Sequence, residues 1–303
     1  MTIDVPTLLR AAAAAAGAQQ YPAGALYLVA TPIGNLADMT LRAIHALSLV
    51  DTVACEDTRT SAVLLRHLGL DKPLLALHTH NETQASERVV ALLAAGGRVA
   101  YVSDAGTPAV SDPGATLVAA VTAAGLRVVP LPGASSAIAA LSVAGDTVGS
   151  GFVFSGFLPA KGETRRGAIQ AALASGATQV LFEAPHRIES LLQALALGAP
   201  ARRVTLCREL TKQFETIVTR PAAELPGWLA EDPNRLRGEF VLVMHAQPTL
   251  RPADGTLPEE AAHTLGVLLR ELPLKQAVAL AAELSGEPRN ALYAAALALQ
   301  RET

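Results

Sequence analysis

At 303 residues, half of them apolar and 17% charged, the chain has material for one large or two ordinary domains and is too hydrophobic to stay disordered. A net charge of −3 gives no global pull toward nucleic acid and leaves that role to local basic patches. Two cysteines, Cys55 and Cys207, exclude a disulfide framework and a cysteine-based metal site, and no apolar run reaches the ~18 residues that cross a bilayer.

The opening stretch, "MTIDVPTLLRAAAAAAGAQQ", places Asp4 before Arg10 and a weakly hydrophobic alanine run after it. It reads as a mobile or helical tail, 1–23, rather than a signal peptide, and the protein is expected in the cytoplasm. From Gly24 the chain alternates. "ALYLVAT" is a short apolar run ending in a turn, so a buried strand is expected, and Thr40 to Val50 has Leu41, Ile44, Ala46 and Leu47 at helical spacing. Strands are predicted at "DTVAC", "KPLLAL", "RVAYVS" and "LRVVPL". Helices are predicted at Thr58–Leu68, Glu82–Ala95 and Pro113–Ala124, the last with proline in its first turn, where a missing N–H is harmless. Apolar strands separated by helices predict an α/β domain, 24–145, with a mostly parallel sheet covered on both faces.

"AGDTVGSG" then breaks the pattern. A second α/β domain, 151–247, is predicted from the strands "FVFSGF", "QVLFEA", "RRVTLCREL", "FETIVT" and "EFVLVM", with helices at Glu163–Ser175 and Pro185–Leu197. The last three strands follow one another closely, which favours a mixed sheet. The polar, proline-rich "HAQPTLRPADGTLPEE" reads as a linker. Beyond it, 257–303 is predicted as a helix-turn-helix-like appendage with helices at Glu259–Glu271, Leu274–Leu284 and Asn290–Arg301, Gly286 stopping one and Pro288 starting the next.

In open α/β sheets ligands bind outside the carboxyl ends of the strands. Four glycine- and proline-rich loops are expected on such an edge: "TPIGN" (31–35), "VSDAGTPAVSDPG" (102–114), "LPGASS" (131–136) and "FLPAKGETRR" (157–166). The dinucleotide fingerprint G-x-G-x-x-G and the Walker lysine are both missing, so phosphate cradling is not the theme. Asp112 is expected to cap the helix after it. A cationic or zwitterionic ligand held by backbone groups and one carboxylate, Asp104, fits better, and S-adenosylmethionine meets that description. His78 and His80 in "HTHNE" have metal-ligand residue types but lack a third ligand. A hydrogen-bond cluster with Asn81 at the start of the next helix is expected instead, and no metal.

Taken together, "LYLVATPIGNLADMTLRA", "ACEDTRTS", "VSDAGTPAVSDPG", "VVPLPGASSAIAALSVAG", "GFLPAKGETRR", "LFEAPHRI" and "RELTKQFET" resemble the ribosomal RNA branch of the tetrapyrrole methylase superfamily. These are the small-subunit rRNA cytidine 2'-O-methyltransferases. The resemblance covers about Leu26 to Met244. It implies an α/β, two-domain tetrapyrrole-methylase-like fold with S-adenosylmethionine in the cleft between domains, and a homodimer. It implies cofactor contacts from Thr31 and Pro32, from Asp104, Gly106, Thr107 and Pro108, from Ser135 and Ser136, and from Gly156 and Phe157. The implied substrate is the ribose 2'-hydroxyl of a cytidine in the decoding region of 16S rRNA, free or in the small ribosomal subunit. Two positions depart from the family's pattern: Thr79 stands where an acidic residue is common, and "PRNALY" replaces a dilysine form.

A ribose hydroxyl is a poor nucleophile, so a positioned base or hydrogen-bond network is expected. Asp104 is one candidate, and Glu183, His186, Glu209 and Lys212 are the others carried forward as catalytic. RNA phosphate contact is expected from Lys161, Arg165, Arg166, Arg187 and Arg208, with Arg202 and Arg203 as further cations. Aromatic residues are 4% of the chain, too few for extensive base stacking. The alternative is a small-molecule, tetrapyrrole-type S-adenosylmethionine methyltransferase, although such enzymes carry Gly-Asp-Pro where this chain has "SDAGTP". A non-catalytic RNA-binding module built on the last three helices is a third reading.

Overall fold

The computed structural model describes residues 4–248, 257 and 259–301. It divides into two compact units, Met1–Ala246 and Gln247–Thr303. Of the predicted linker, 245–260, residues 249–256 and 258 lie outside the described residues.

The first unit holds two five-stranded sheets. Strands β1 (Ala25–Val29), β2 (Thr52–Cys55), β3 (Leu74–Ala76), β4 (Val99–Val102) and β5 (Arg127–Leu131) form the first, in the order β3-β2-β4-β1-β5. Every pairing in it is parallel. Parallel strands need crossover connections, and the helices α2 (Leu41–Leu49), α3 (Thr58–His67), α4 (Glu82–Ala94) and α5 (Ala115–Ala123) supply them. The two-residue period of β1 and β4 sorts their side chains between two cores. Tyr27, Val29, Ala100 and Val102 meet Ile44 and Leu47 of α2 on one face. Leu26, Val99 and Tyr101 meet Val89, Leu93, Leu117 and Val121 of α4 and α5 on the other.

The alanine run folds as α1 (Val5–Ala16), with Ala12 and Ala16 at most 2% exposed. Small side chains let this helix lie close on α2, and Tyr21 meets the His45 ring edge-on at 5.0 Å. Of the two expectations for the tail, the helical one describes residues 5–16, and that helix is packed into the first core.

Strands β6 (Phe152–Phe157), β7 (Thr178–Glu183), β8 (Arg203–Arg208), β9 (Thr216–Pro221) and β10 (Phe240–Met244) form the second sheet, ordered β6-β7-β10-β8-β9. Only β6 and β7 run parallel, so the sheet is mixed, as the close spacing of the late strands predicted. One face packs on α7 (Gly162–Ala174), α8 (Ile188–Gly198) and α9 (Leu225–Ala230). The other face, with Val180, Cys207, Val241 and Val243, packs on Ala137, Ala140 and Ala144 of α6 (Ser136–Ala144). Thus α6 follows the first sheet in sequence yet covers the second, and its alanines allow the close approach.

Three expectations are corrected. The helix predicted from Pro113 begins at Ala115, and Asp112 does not cap it. Glu82 of α4 does, its Oε1 accepting the Gly114 and Thr116 amides at 2.8 and 3.2 Å. The helix predicted from Pro185 begins at Ile188, leaving His186 and Arg187 on the turn before it. The fourth loop, 157–166, follows β6, so only three of the four loops share the edge of the first sheet.

Among its described residues the second unit has three helices, α10 (Glu259–Glu271), α11 (Leu274–Ser285) and α12 (Arg289–Arg301). Leu265, Val278, Ala281, Leu292 and Ala296 form its core. Among the described residues, no helix is long and apolar enough to cross a membrane.

Candidate functional site

Because β4, β1 and β5 are neighbours, the loops leaving their carboxyl ends meet. Thr31 and Gly106 exchange backbone hydrogen bonds at 2.9 and 3.1 Å, extending the β1–β4 junction by one antiparallel bridge. The buried Thr31 hydroxyl donates to the Ser103 carbonyl at 3.2 Å. Thr107 Oγ1 donates to the Ala134 carbonyl at 3.0 Å, tying the β4 loop to the β5 loop. Each loop thus fixes its neighbour, a rigid frame suited to holding a ligand.

A cleft of about 350 Å³ opens on this frame, within the range of small-molecule sites. The first sheet contributes Gly106, Thr107, Ser135 and Ser136 to its wall, and the second contributes Phe157, Phe182, Glu183 and Glu239. Phe157 packs edge-on to Phe182 at 5.5 Å. Gly156 has φ +58, and a Cβ there would fall 2.6 Å from Ser111 Oγ, so only glycine lets β6 pass this closely under the β4 loop. No side chain caps α6, whose first residues line the cleft.

The residues expected to touch the cofactor divide. Gly106, Thr107, Ser135, Ser136 and Phe157 line this cleft. Thr31, Pro32 and Asp104 instead line a second cavity of about 250 Å³, together with residues of α3. Pro108 and Gly156 line neither cavity; Pro108 is buried, and at Gly156 a Cβ would collide with Ser111 Oγ. Sequence reasoning missed Phe182 and Glu239, which enter the cleft only through the register of β7 and β10, where Phe240 pairs with Glu183.

Around Asp104 the carboxylates crowd. Burial raises the pKa of Glu56, and Asp104, Asp112 and Asp57 raise it further. Burial likewise raises Asp112, with Asp104 adding and a hydrogen bond from Ser103 opposing. Asp104 Oδ1 accepts the Asp57 amide at 3.2 Å.

Glu183 is 1% exposed and has both oxygens engaged. Oε2 accepts from Arg165 at 2.9 Å, and Oε1 lies 2.6 Å from Arg187 Nε and accepts the Ala184 amide at 2.9 Å. The carboxylate thus holds two guanidiniums at the cleft wall. His186 is exposed on the same turn.

Glu209 and Lys212 come together with Glu239. Lys212 Nζ donates to Glu209 at 2.9 Å and to Glu239 at 3.0 Å. Burial would lower the lysine's pKa, but the two carboxylates outweigh it and raise it. Lys212 is therefore held as an ammonium that donates to both carboxylates. Its stem lies across Gly34 so closely that a Cβ on Gly34 would overlap it.

The expected RNA cations also divide. Lys161 and Arg166 are exposed, Arg166 pairing with Glu163. Arg165 and Arg187 hold Glu183 and are 11% and 16% exposed. Arg208 is corrected: it is buried and donates to the carbonyls of Arg237, Asn234 and Phe214, so it braces the β8 turn and does not reach a phosphate. Arg202 is likewise buried, donating to the carbonyls of His245, Ser175 and Ala177, whereas Arg203 is exposed. His78 and His80 meet edge-on at 6.0 Å, and Asn81 accepts the His78 backbone amide at 2.8 Å, whereas the His78 Nδ1 is buried without a hydrogen-bond partner.

Residues 25–226 match the family model described as Tetrapyrrole (Corrin/Porphyrin) Methylases, and 255–300 match the RsmI C-terminal HTH domain. The chain is 49% identical over 278 residues to "Ribosomal RNA small subunit methyltransferase I" of Escherichia coli O157:H7, covering 91% of this chain and 96% of that one. It is 48% identical over 279 residues to the protein of the same name from Pseudomonas aeruginosa, covering 92% and 98%. Among solved structures it resembles uroporphyrin-III-C-methyltransferase from Thermus thermophilus, with TM-score 0.53 and 22% identity over 73% of this chain and 94% of that one. It also resembles a cobalamin biosynthetic enzyme, cobalt precorrin-4 methyltransferase, with TM-score 0.55 and 16% identity over 75% and 98%. These two likenesses concern the fold.

Proposed function

The chain belongs to the tetrapyrrole (corrin/porphyrin) methylase family, and from that membership we propose that it is an S-adenosylmethionine-dependent methyltransferase acting on small-subunit ribosomal RNA. In the finer reading, the acceptor is the ribose 2'-hydroxyl of a cytidine in the decoding region of 16S rRNA. The observation that carries the proposal is the 45–49% identity to rRNA small subunit methyltransferases I across about nine-tenths of the chain. That span includes the cleft loops. The small-molecule alternative has only fold-level support.

The residues of the cleft suit the donor. The uncapped start of α6 offers backbone N–H groups to an amino-acid carboxylate. Phe157 and Phe182 offer aromatic surface to a purine, and Glu239 adds negative charge for a cation. When bound, S-adenosylmethionine supplies an electrophilic methyl on a sulfonium. The chain's own residues then orient the acceptor in line with that methyl and exclude water. Lys161 and Arg166 are proposed to contact phosphate, and Glu183 to position Arg165 and Arg187 at the mouth. We further propose that the two sheets are cores of separate α/β domains meeting near 145–151, and that the active species is a homodimer.

Calorimetry with S-adenosylhomocysteine tests the cofactor reading. One site per chain is expected, and a Ser135→Trp substitution at the α6 start is expected to abolish it. No binding heat at millimolar ligand contradicts the proposal.

A further inference from the structure

We propose that Val110 and Leu210 are positioning residues for the methyl donor, held on the cleft wall by two strained turns, and that this strain keeps the cleft in its binding shape while lowering the stability of the fold. The inference rests on reading the cleft as the donor site.

Among the described residues, four that are not glycine have a left-handed backbone: Ala109 (φ 64), Ser111 (φ 64), Glu209 (φ 52) and Thr211 (φ 67). They form two pairs, and each pair brackets one apolar residue. Val110 lies inside the first pair and Leu210 inside the second, and both line the cleft. The two turns come from different sheets, one after β4 and one after β8. A left-handed backbone presses Cβ on the following carbonyl oxygen, so each of the four positions disfavours the residue it carries and would accept glycine freely. Thr211 is the most strained, because it is β-branched. Such conformations persist only where the surroundings enforce them, and they gather at functional sites. Here all four flank residues of one cleft.

The surroundings hold both turns from each end. Before the first, Pro108 is buried and Thr107 is tied to Ala134. After it, Ser111 Oγ lies where a Cβ on Gly156 would, and the Tyr101 hydroxyl donates to the Pro113 carbonyl at 2.7 Å. At the second turn, the Glu209 amide donates to the Glu239 carbonyl at 3.0 Å, and the Glu239 amide donates to Glu209 Oε1 at 2.9 Å. A Cβ on Gly238 would fall 2.5 Å from Glu209 Cγ, so glycine there makes room for the strained residue. The Thr211 amide donates to Glu215 at 2.6 Å, but Thr211 Oγ1 is buried with no partner, so its hydroxyl does not offset the strain. Turning Ala109 or Glu209 to negative φ would swing the residue that follows it. Val110 and Leu210 therefore keep their places only while the strain is kept. Val110 is 44% exposed, so burial of its side chain does not offset the strain of the first turn. A wall already in place when the donor arrives leaves less to be ordered on binding.

The test sets stability against affinity. Ala109→Gly deletes one methyl group, and Thr211→Gly also deletes the unpartnered hydroxyl; both relieve strain and loosen a turn. Thermal unfolding gives Tm, and calorimetry gives the affinity for S-adenosylhomocysteine. Each variant is expected to raise Tm by about 2–4 °C. Each is also expected to weaken S-adenosylhomocysteine binding about two- to fivefold, and the two together about tenfold, because the freed turns must be ordered on binding. Val110→Ala, at an exposed position, is expected to weaken binding by a similar factor with Tm within about 1 °C of wild type. Turns with a merely structural role would gain stability and keep wild-type affinity, and that result in the double variant overturns the proposal. An Ala109→Gly protein whose Tm does not rise overturns it as well, since no strain was then relieved. Failure of the wild-type protein to bind S-adenosylhomocysteine instead overturns the donor reading on which the proposal rests, and that control involves no variant.

Discussion

Thr31 and Gly106, 75 positions apart, bond each other's backbones through two hydrogen bonds of 2.9 and 3.1 Å. This bridge sets the wall between the two cavities. Gly106 has φ +82, a conformation that strains any residue with a Cβ, and a Cβ would also press on Ile33 at 3.3 Å. Gly106→Ala is expected to destabilise the protein by about 1 kcal/mol and to weaken S-adenosylhomocysteine binding tenfold or more. Denaturant unfolding and calorimetry read the two effects separately.

Glu183 is held by two arginines in a buried setting. Removing one partner of a buried ion pair leaves uncompensated charge, at a cost of about 3–5 kcal/mol. Glu183→Ala is expected to lose stability on that order, and Glu183→Gln less. If Glu183 only positions Arg165 and Arg187, the pH profile of kcat in Glu183→Gln keeps the wild-type shape. Loss of the acidic limb, where activity rises with pH, would assign it the role of base.

Asp146 couples the end of α6 to the second sheet. Burial works to raise its pKa, but the Thr178 hydroxyl at 2.6 Å and the amides of Ala246, Val148 and Gly149 outweigh this and hold it at about 2. A carboxyl depressed in the folded state stabilises above its unfolded value, 3.8, and that stability disappears as pH falls through about 2. Asp146→Asn is expected to lose about 1–2 kcal/mol at neutral pH, after allowance for solvent access, and to flatten the stability curve between pH 4 and 2. Chemical denaturation across that range measures it.

Arg202 donates to the carbonyls of His245, Ala172, Leu173, Ser175 and Ala177, closing the ends of β10 and α7. Arg202→Ala orphans those carbonyls and is expected to cost ~3 kcal/mol or more. Lysine cannot replace the planar fork, so Arg202→Lys is expected to recover little. Exposed Arg203→Ala is expected to stay within about 0.5 kcal/mol of wild type.

If Lys161 and Arg166 contact phosphate, their alanine variants weaken subunit binding across RNA sequences and each reduces the slope of log affinity against log salt by about one. Arg208→Ala, by contrast, is expected to act through stability. Filter binding at several salt concentrations distinguishes the two.

Much of the architecture was legible in the sequence because apolar strands and amphipathic helices alternate with clear turn residues. The range 259–271 of α10 was read as it stands. What was not legible is what depends on pairing across the fold. Arg208 and Arg202 look like free cations until the carbonyls they meet are placed, and those carbonyls lie 6 to 43 residues away. Asp112 sits where a cap is expected, but Glu82, 32 residues before Gly114, takes the role. The assignment of α6 to the second sheet follows from its alanine face, which a periodicity argument cannot direct to one sheet over another. The site loops announced themselves by composition, yet their division between two cavities, with Ser103 and Asp104 on one and Ala105, Gly106 and Thr107 on the other, depends on how the loops are bridged in the fold.

The measurement that tests the central claim most directly is tritium transfer from S-adenosylmethionine to small ribosomal subunits lacking the modification, followed by nucleoside digestion. The account predicts label in 2'-O-methylcytidine, at one position per subunit, and none in uroporphyrinogen offered in parallel. Label in a base-methylated nucleoside, or in the tetrapyrrole and not the RNA, would contradict it.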